Sequence, residues 1–150
     1  MTNNDLLRRI RYLYDFDDDA MMALFRLAGN EVTRSAVCDW LKKEEDPAFK
    51  EITDKELATF LNGLTIKNRG RKEGPLPVPE DQLNNNIIFR KLKIAMNLKS
   101  DEILDLFEST GKGISKHELS AFFRRPGNNS YRTMRDQYLR NFLNALQAKK

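Results

Sequence analysis

The chain has 150 residues, 40% hydrophobic and 32% charged, with 26 Lys/Arg against 22 Asp/Glu and a formal net charge of +4. This balance excludes a disordered polyelectrolyte and reads as a globular chain, and no uncharged apolar run is long enough to cross a bilayer. The single cysteine, Cys38, excludes an internal disulfide, and with a start, Met-Thr-Asn-Asn-Asp, that lacks a basic flank and an apolar segment, it leads us to expect a cytoplasmic protein.

The elements come in two series at a constant offset of 82. Asn3-Asn4 corresponds to Asn85-Asn86, and Phe60-Leu61-Asn62-Gly63-Leu64 to Phe142-Leu143-Asn144-Ala145-Leu146. Between these anchors Arg8 meets Arg90, Asp19 meets Asp101, Leu24-Phe25 meet Leu106-Phe107, Gly29 meets Gly111, and Trp40-Leu41 meet Phe122-Phe123. One helical unit is therefore written twice, and the repeat fixes the architecture before any finer reading.

The first predicted helix of each copy places Leu6, Leu7, Ile10 and Leu13, or Ile88, Phe89, Leu92 and Met96, on one stripe. Asn3, Asn4 or Asp5, and Asn85 or Asn86, are its candidate N-caps. The second helix follows Asp17-Asp18-Asp19 or Ser100-Asp101-Glu102, carboxylates that suit the positive end of a helix dipole, and stops at Gly29 or Gly111. The aspartate run lacks the alternating ligands and distal glutamate of a calcium loop, so it reads as a cap. The third helix starts at Thr33 or at the capping box Ser115-Lys116-His117-Glu118, and in the second copy Pro126-Gly127 is expected to stop it. The fourth starts at the capping box Thr53-Asp54-Lys55-Glu56 and buries Leu57, Phe60, Leu61 and Leu64; its counterpart uses Met134, Tyr138, Leu139, Phe142, Leu143 and Leu146. Asn62 and Asn144 lie on that apolar face, where a bond across the seam between copies is the expected use of a polar amide. No segment alternates for long enough to build a sheet.

The expected fold is all-α, with two tandem homologous repeats of about four helices each, residues 1–64 and 85–150, packed with approximate two-fold pseudosymmetry. Residues 65–84, with Arg69-Gly70-Arg71-Lys72 and Pro75, Pro77 and Pro79, read as a basic, Pro-rich spacer. Charge is split between the copies: residues 3–64 carry 9 Lys/Arg against 13 Asp/Glu, and residues 85–150 carry 13 against 6. Opposite charge either helps the copies dock or turns the second copy towards an anionic partner.

Catalytic and cofactor signatures are missing. His117 is the only histidine, Cys38 and His117 are too few for a zinc site, and neither a P-loop nor a dinucleotide glycine motif occurs. The expectation is a protein that is not an enzyme and needs no cofactor. It is read as a protein-interaction or regulatory module that binds an unknown protein partner or itself, with no membrane association. The alternative is DNA or RNA binding through the second copy. There the second and third helices resemble a helix-turn-helix, and Lys112, Lys116, Ser120, Arg124, Arg125 and Arg132, with His117 beside them, would meet phosphates. Against it stand the long turn from Ser109 to Ile114 and Glu118 in the reading helix.

Asn-Asn-Asp-Leu-Leu-Arg-Arg-Ile-Arg-Tyr at 3–12, Trp40-Leu41-Lys42-Lys43-Glu44, Phe60-Leu61-Asn62-Gly63-Leu64, Asn84-Asn85-Asn86 followed by Phe89-Arg90-Lys91-Leu92-Lys93, and Gln137-Tyr138-Leu139-Arg140-Asn141-Phe142-Leu143 together make a recognisable set. By them the whole chain resembles the YehS-like family of uncharacterised bacterial proteins, which carry a domain of unknown function. The resemblance implies a bacterial cytoplasmic protein. It implies no activity, substrate or site residue.

Overall fold

A computed structural model describes residues 1–150, all helix and connection with no strand. The helices are α1 (Asn3–Tyr14), α2 (Asp18–Leu27), α3 (Arg34–Leu41), α4 (Asp54–Arg69), α5 (Asn85–Ala95), α6 (Ser100–Ser109), α7 (Lys116–Phe123) and α8 (Asp136–Ala148). They fall into two compact units, Met1–Leu83 and Asn84–Lys150, with four helices each.

In unit 1 the stripe Leu6, Leu7 and Ile10 of α1 packs with Met21, Leu24 and Phe25 of α2, Val37 and Trp40 of α3, and Leu57, Phe60, Leu61 and Leu64 of α4, all buried. The ring of Phe25 lies 5.4 Å from Trp40 and 5.5 Å from Phe60. Unit 2 repeats this plan around Phe89, whose ring lies 5.0 Å from Phe142, 6.3 Å from Phe122 and 6.4 Å from Phe107. At the equivalent positions unit 1 has Leu7 and Trp40 where unit 2 has Phe89 and Phe122. A gain in side-chain volume at one position accompanies a loss at the other, the kind of exchange a packed core tolerates best.

The two units differ at the crossing of their second and fourth helices. A Cβ built on Gly63 would lie 1.9 Å from the Leu24 carbonyl oxygen, so α4 approaches the backbone of α2 as closely as only glycine permits. The counterpart is Ala145, buried in α8. Asn62 is buried, whereas Asn144 is exposed.

Several helix ends differ from expectation. The α1 cap is Thr2, in a capping box with Asp5, and the α5 cap is Asn84, which accepts the Ile87 N–H at 2.9 Å. The asparagines that follow point elsewhere, as described below. Thr33, Ser115 and Thr53 cap α3, α7 and α4 as expected. Asp17 caps α2, while Asp18 and Asp19 pair with Arg34 of α3, and Asp18 also with Arg11 at 3.9 Å. Pro126 does not stop α7. The helix ends at Phe123, and α3 ends at the equivalent Leu41 with no proline until Pro47. Helix α4 runs on to Arg69, five residues into the stretch read as spacer, and Gly70 closes it at φ 82°. The rest of that stretch folds back on unit 1: Leu76 covers Gly29, and the Leu83 N–H donates to Asp54 at 2.9 Å.

Candidate functional site

The connection between the third and fourth helices of each unit, residues 42–53 and 124–135, is held by a recurring set of side-chain hydrogen bonds. A helix leaves its last carbonyls without internal partners. In α3 these carbonyls are captured by other parts of unit 1. The Lys50 N–H donates to Asp39 O at 3.2 Å, the Asn4 amide donates to Trp40 O at 2.8 Å, and Arg8 donates to Lys42 O at 3.0 Å. Unit 2 does the same with Arg132 N–H to Ala121 O at 3.1 Å, Asn86 to Phe122 O at 3.1 Å and Arg90 to Phe123 O at 2.7 Å.

The asparagine pair holds both sides of the connection. Asn4, 2% exposed, also donates to Lys50 O at 2.8 Å and accepts the Ile52 N–H at 3.2 Å, so a single side chain ties the helix end to the returning strand of backbone. Asn86 donates to Arg132 O at 2.8 Å and accepts the Met134 N–H at 2.9 Å. Asn3 donates to Ile52 O and to Asp54 at 2.7 Å, and Asn85 donates to Met134 O and to Asp136 at 2.7 Å. The Asn85 amide is the largest of the influences that hold the Asp136 carboxyl below its ordinary range. Between the tied ends, the carboxylate of Asp46 accepts the Ala48 N–H and the amide oxygen of Asn128 accepts the Ser130 N–H, closing the same tight turn. Ile52 and Met134 are buried beneath each connection.

On this common frame the exposed groups diverge. Residues 42–53 carry Lys42, Lys43 and Lys50 against Glu44, Glu45, Asp46 and Glu51, a net −1; residues 124–135 carry Arg124, Arg125, Arg132 and Arg135 with no acid, a net +4. The structure places the residues read as phosphate contacts as follows. Lys116 and Ser120 are exposed and four residues apart, so they share one stripe of α7, and Arg124, also exposed, follows the helix as its extended C-cap. Arg125 follows, exposed, and Lys112 is exposed on the six-residue turn before α7. Arg132 is not on that stripe. Its guanidinium donates to Glu118 at 3.2 Å and lies over the Tyr138 ring at 5.9 Å. Arg135, with its exposed side chain at the N-cap of α8, completes the basic connection and was not singled out from the sequence. The run of four arginines between Glu118 and Asp136 was the available signal.

Helix α6, the first helix of the supposed helix-turn-helix, exposes Asp101, Glu102, Asp105 and Glu108. Two open recesses lie in unit 1. One, of about 150 Å³, is lined by Thr2, Asn3, Asn4, Glu44, Phe49, Glu51 and Ile52, and the other, of about 350 Å³, by Arg8, Arg11, Tyr12, Asp15, Phe16 and Asp17. Neither contains a histidine, cysteine or serine beside its carboxylates. No helix is long and apolar enough to cross a membrane.

The family described as a protein of unknown function (DUF1456) matches the chain twice, over residues 3–70 and 85–150. The chain is 37% identical to "Uncharacterized protein YehS" of Escherichia coli (strain K12) over 150 residues, covering 99% of this chain and 96% of that relative. No solved structure matches significantly. The chain therefore belongs to this family of unknown function, and the two matched segments coincide with the two four-helix repeats.

Proposed function

We propose that this family member is a non-catalytic, cytoplasmic interaction module that acts by presenting the exposed face of its repeated frame to a protein partner, a second copy or a nucleic acid. One observation carries the reading. The hydrogen bonds that fix residues 42–53 and 124–135 are kept pair by pair, while the exposed side chains on them change sign of charge. A scaffold conserved within the molecule under a diverging surface suits two binding faces better than one reaction centre. The absence of a convergent nucleophile, acid and base in the sequence supports the same view.

The test is recovery of tagged chain at low salt, with and without nuclease, followed by size-exclusion chromatography with light scattering. The expected result is a self-associated species or a complex of fixed stoichiometry, with nuclease sensitivity separating nucleic acid from protein. A strict monomer that recovers no stoichiometric partner in either condition overturns the reading.

A further inference from the structure

We infer that the Arg124–Arg135 connection of unit 2, continued by Lys116 and Ser120 on α7, is a docking surface for the phosphate backbone of duplex nucleic acid, bound without sequence preference. The inference rests on the interaction-module reading and names the partner of one of its faces.

Charge is the first ground. Four arginines lie within twelve residues, and the acids flanking them, Glu118 and Asp136, are engaged by Arg132 and by Asn85 with Arg140. The guanidinium groups of Arg124, Arg125 and Arg135 make no ion pair or hydrogen bond within the protein and are exposed. Guanidinium is a planar fork of donors that matches phosphate oxygens two at a time. Asn129, Ser130 and Thr133, exposed between the arginines, add neutral groups of the kind that reach backbone oxygens.

Rigidity is the second. The backbone carrying these groups is fixed by Asn86 and by the Asn128 turn, so little ordering of the chain opposes binding. Unit 1 supplies the internal comparison, since the same frame there carries Glu44, Glu45, Asp46 and Glu51.

The chemistry missing from the surface decides among anionic partners. Every large hydrophobic side chain that is well exposed (Tyr12, Leu27, Val78 and Ile94) lies outside residues 112–140, so the surface has no apolar anchor of the kind that dominates protein interfaces. Its aromatic rings do not offer a stacking platform either. Tyr138 packs 5.2 Å from Phe122 and is covered by Arg132, and Tyr131 is half-buried. Single strands are gripped by such platforms, whereas duplex backbones need only correctly spaced cations. The acidic face of α6 opposes helix-turn-helix docking, in which the first helix crosses the phosphate backbone. The arginine connection then binds from its own side, without a reading helix in the major groove, and so carries no sequence information.

The test is fluorescence anisotropy on the full chain with two unrelated DNA duplexes, an RNA duplex and one of the component single strands, each from about 50 to 200 mM salt. Two variants of equal net charge accompany it: Arg124→Gln/Arg125→Gln/Arg135→Gln, and Lys67→Gln/Arg71→Gln/Lys72→Gln in exposed parts of unit 1, both checked by circular dichroism. Three phosphate contacts predict a log–log salt slope steeper than the arginine variant's by about 2.7, or about 40-fold more affinity lost over that range. The two DNA duplexes bind alike and better than the single strand, the unit 1 variant keeps the parent slope, and the relative affinity for RNA duplex identifies which backbone is preferred. Absence of duplex binding at low salt, a stronger single-strand complex, or equal slopes for the two variants overturns the assignment. A protein complex recovered in the nuclease-treated preparation leaves the module reading standing when this one fails.

Discussion

Replacing Asn4 by aspartate tests the tie between α1 and the α3–α4 connection with almost no change in shape. Asn4 donates to Trp40 O and Lys50 O at 2.8 Å each and accepts the Ile52 N–H at 3.2 Å, with 2% of its surface exposed. Aspartate keeps the acceptor and removes both donors, so two buried carbonyls lose their partners at about 1–3 kcal/mol each and then face a carboxylate. The expected loss is about 3–6 kcal/mol, a large part of the roughly 5–15 kcal/mol that holds a domain of this kind. At roughly 2–8 °C per kcal/mol for chains and units of this size, the midpoint of thermal unfolding by calorimetry falls by about 6 °C or more. Asn86→Asp in unit 2 breaks equivalent bonds at 3.1 and 2.8 Å and is expected to match it within about 1 kcal/mol. An Asn4→Asp chain within about 1 kcal/mol of the parent refutes the assignment of these bonds as the anchor of the connection.

Gly63→Ala, which stabilises an ordinary helix interior, should cost about 1–3 kcal/mol in urea unfolding, because the new Cβ meets Leu24 O at 1.9 Å; a stabilised variant contradicts the close approach of α2 and α4. The folded-state pKa of Asp136 is depressed, so its ionisation contributes stability that is complete above the ordinary carboxyl range and lost as pH falls through the folded value. Unfolding midpoints from pH 6 to pH 2 (about that span) should therefore fall less for Asp136→Asn than for the parent, and parallel curves would remove the Asn85–Asp136 bond from the account. Writing the sequence of residues 42–53 over residues 124–135, a segment of equal length, should preserve helical content and stability within roughly 2 kcal/mol, since Ile52 and Met134 fill the same place; an unfolded chimera would show that the frames are not interchangeable.

The helices were legible because periodic apolar spacing and capping boxes are local signals. Leu6, Leu7 and Ile10, the box at Thr53–Glu56 and the box at Ser115–Glu118 all act within a few residues of sequence. The duplication was legible because the two copies could be compared with each other. The role of Asn3-Asn4 and Asn85-Asn86 was not, because their partners lie 36 to 51 residues away and a helix start offers an amide a plausible local task. Their recurrence beside adequate caps, Thr2 and Asn84, was the overlooked sign, since one cap per helix suffices. The end of α7 was assigned to Pro126 for the same reason: the donors that terminate it come from α5 and from the returning chain. Four of the six proposed phosphate contacts (Lys116, Ser120, Arg124 and Arg125) fall along α7 and its exit, where helical spacing predicts neighbours. The pairing of Arg132 with Glu118 was not legible, because it depends on the fold of the connection.

Amide hydrogen exchange at four residues tests the shared frame most directly. Lys50, Ile52, Arg132 and Met134 lie outside any helix, yet their N–H groups donate to Asp39 O, Asn4 Oδ1, Ala121 O and Asn86 Oδ1. The account predicts exchange at all four as slow as in the buried helices, alternating with fast exchange at their exposed neighbours Glu51 and Thr133. Exchange at those four amides as fast as at Glu51 and Thr133 would show that the asparagines do not hold the connections, and the common frame on which both binding faces depend would be contradicted.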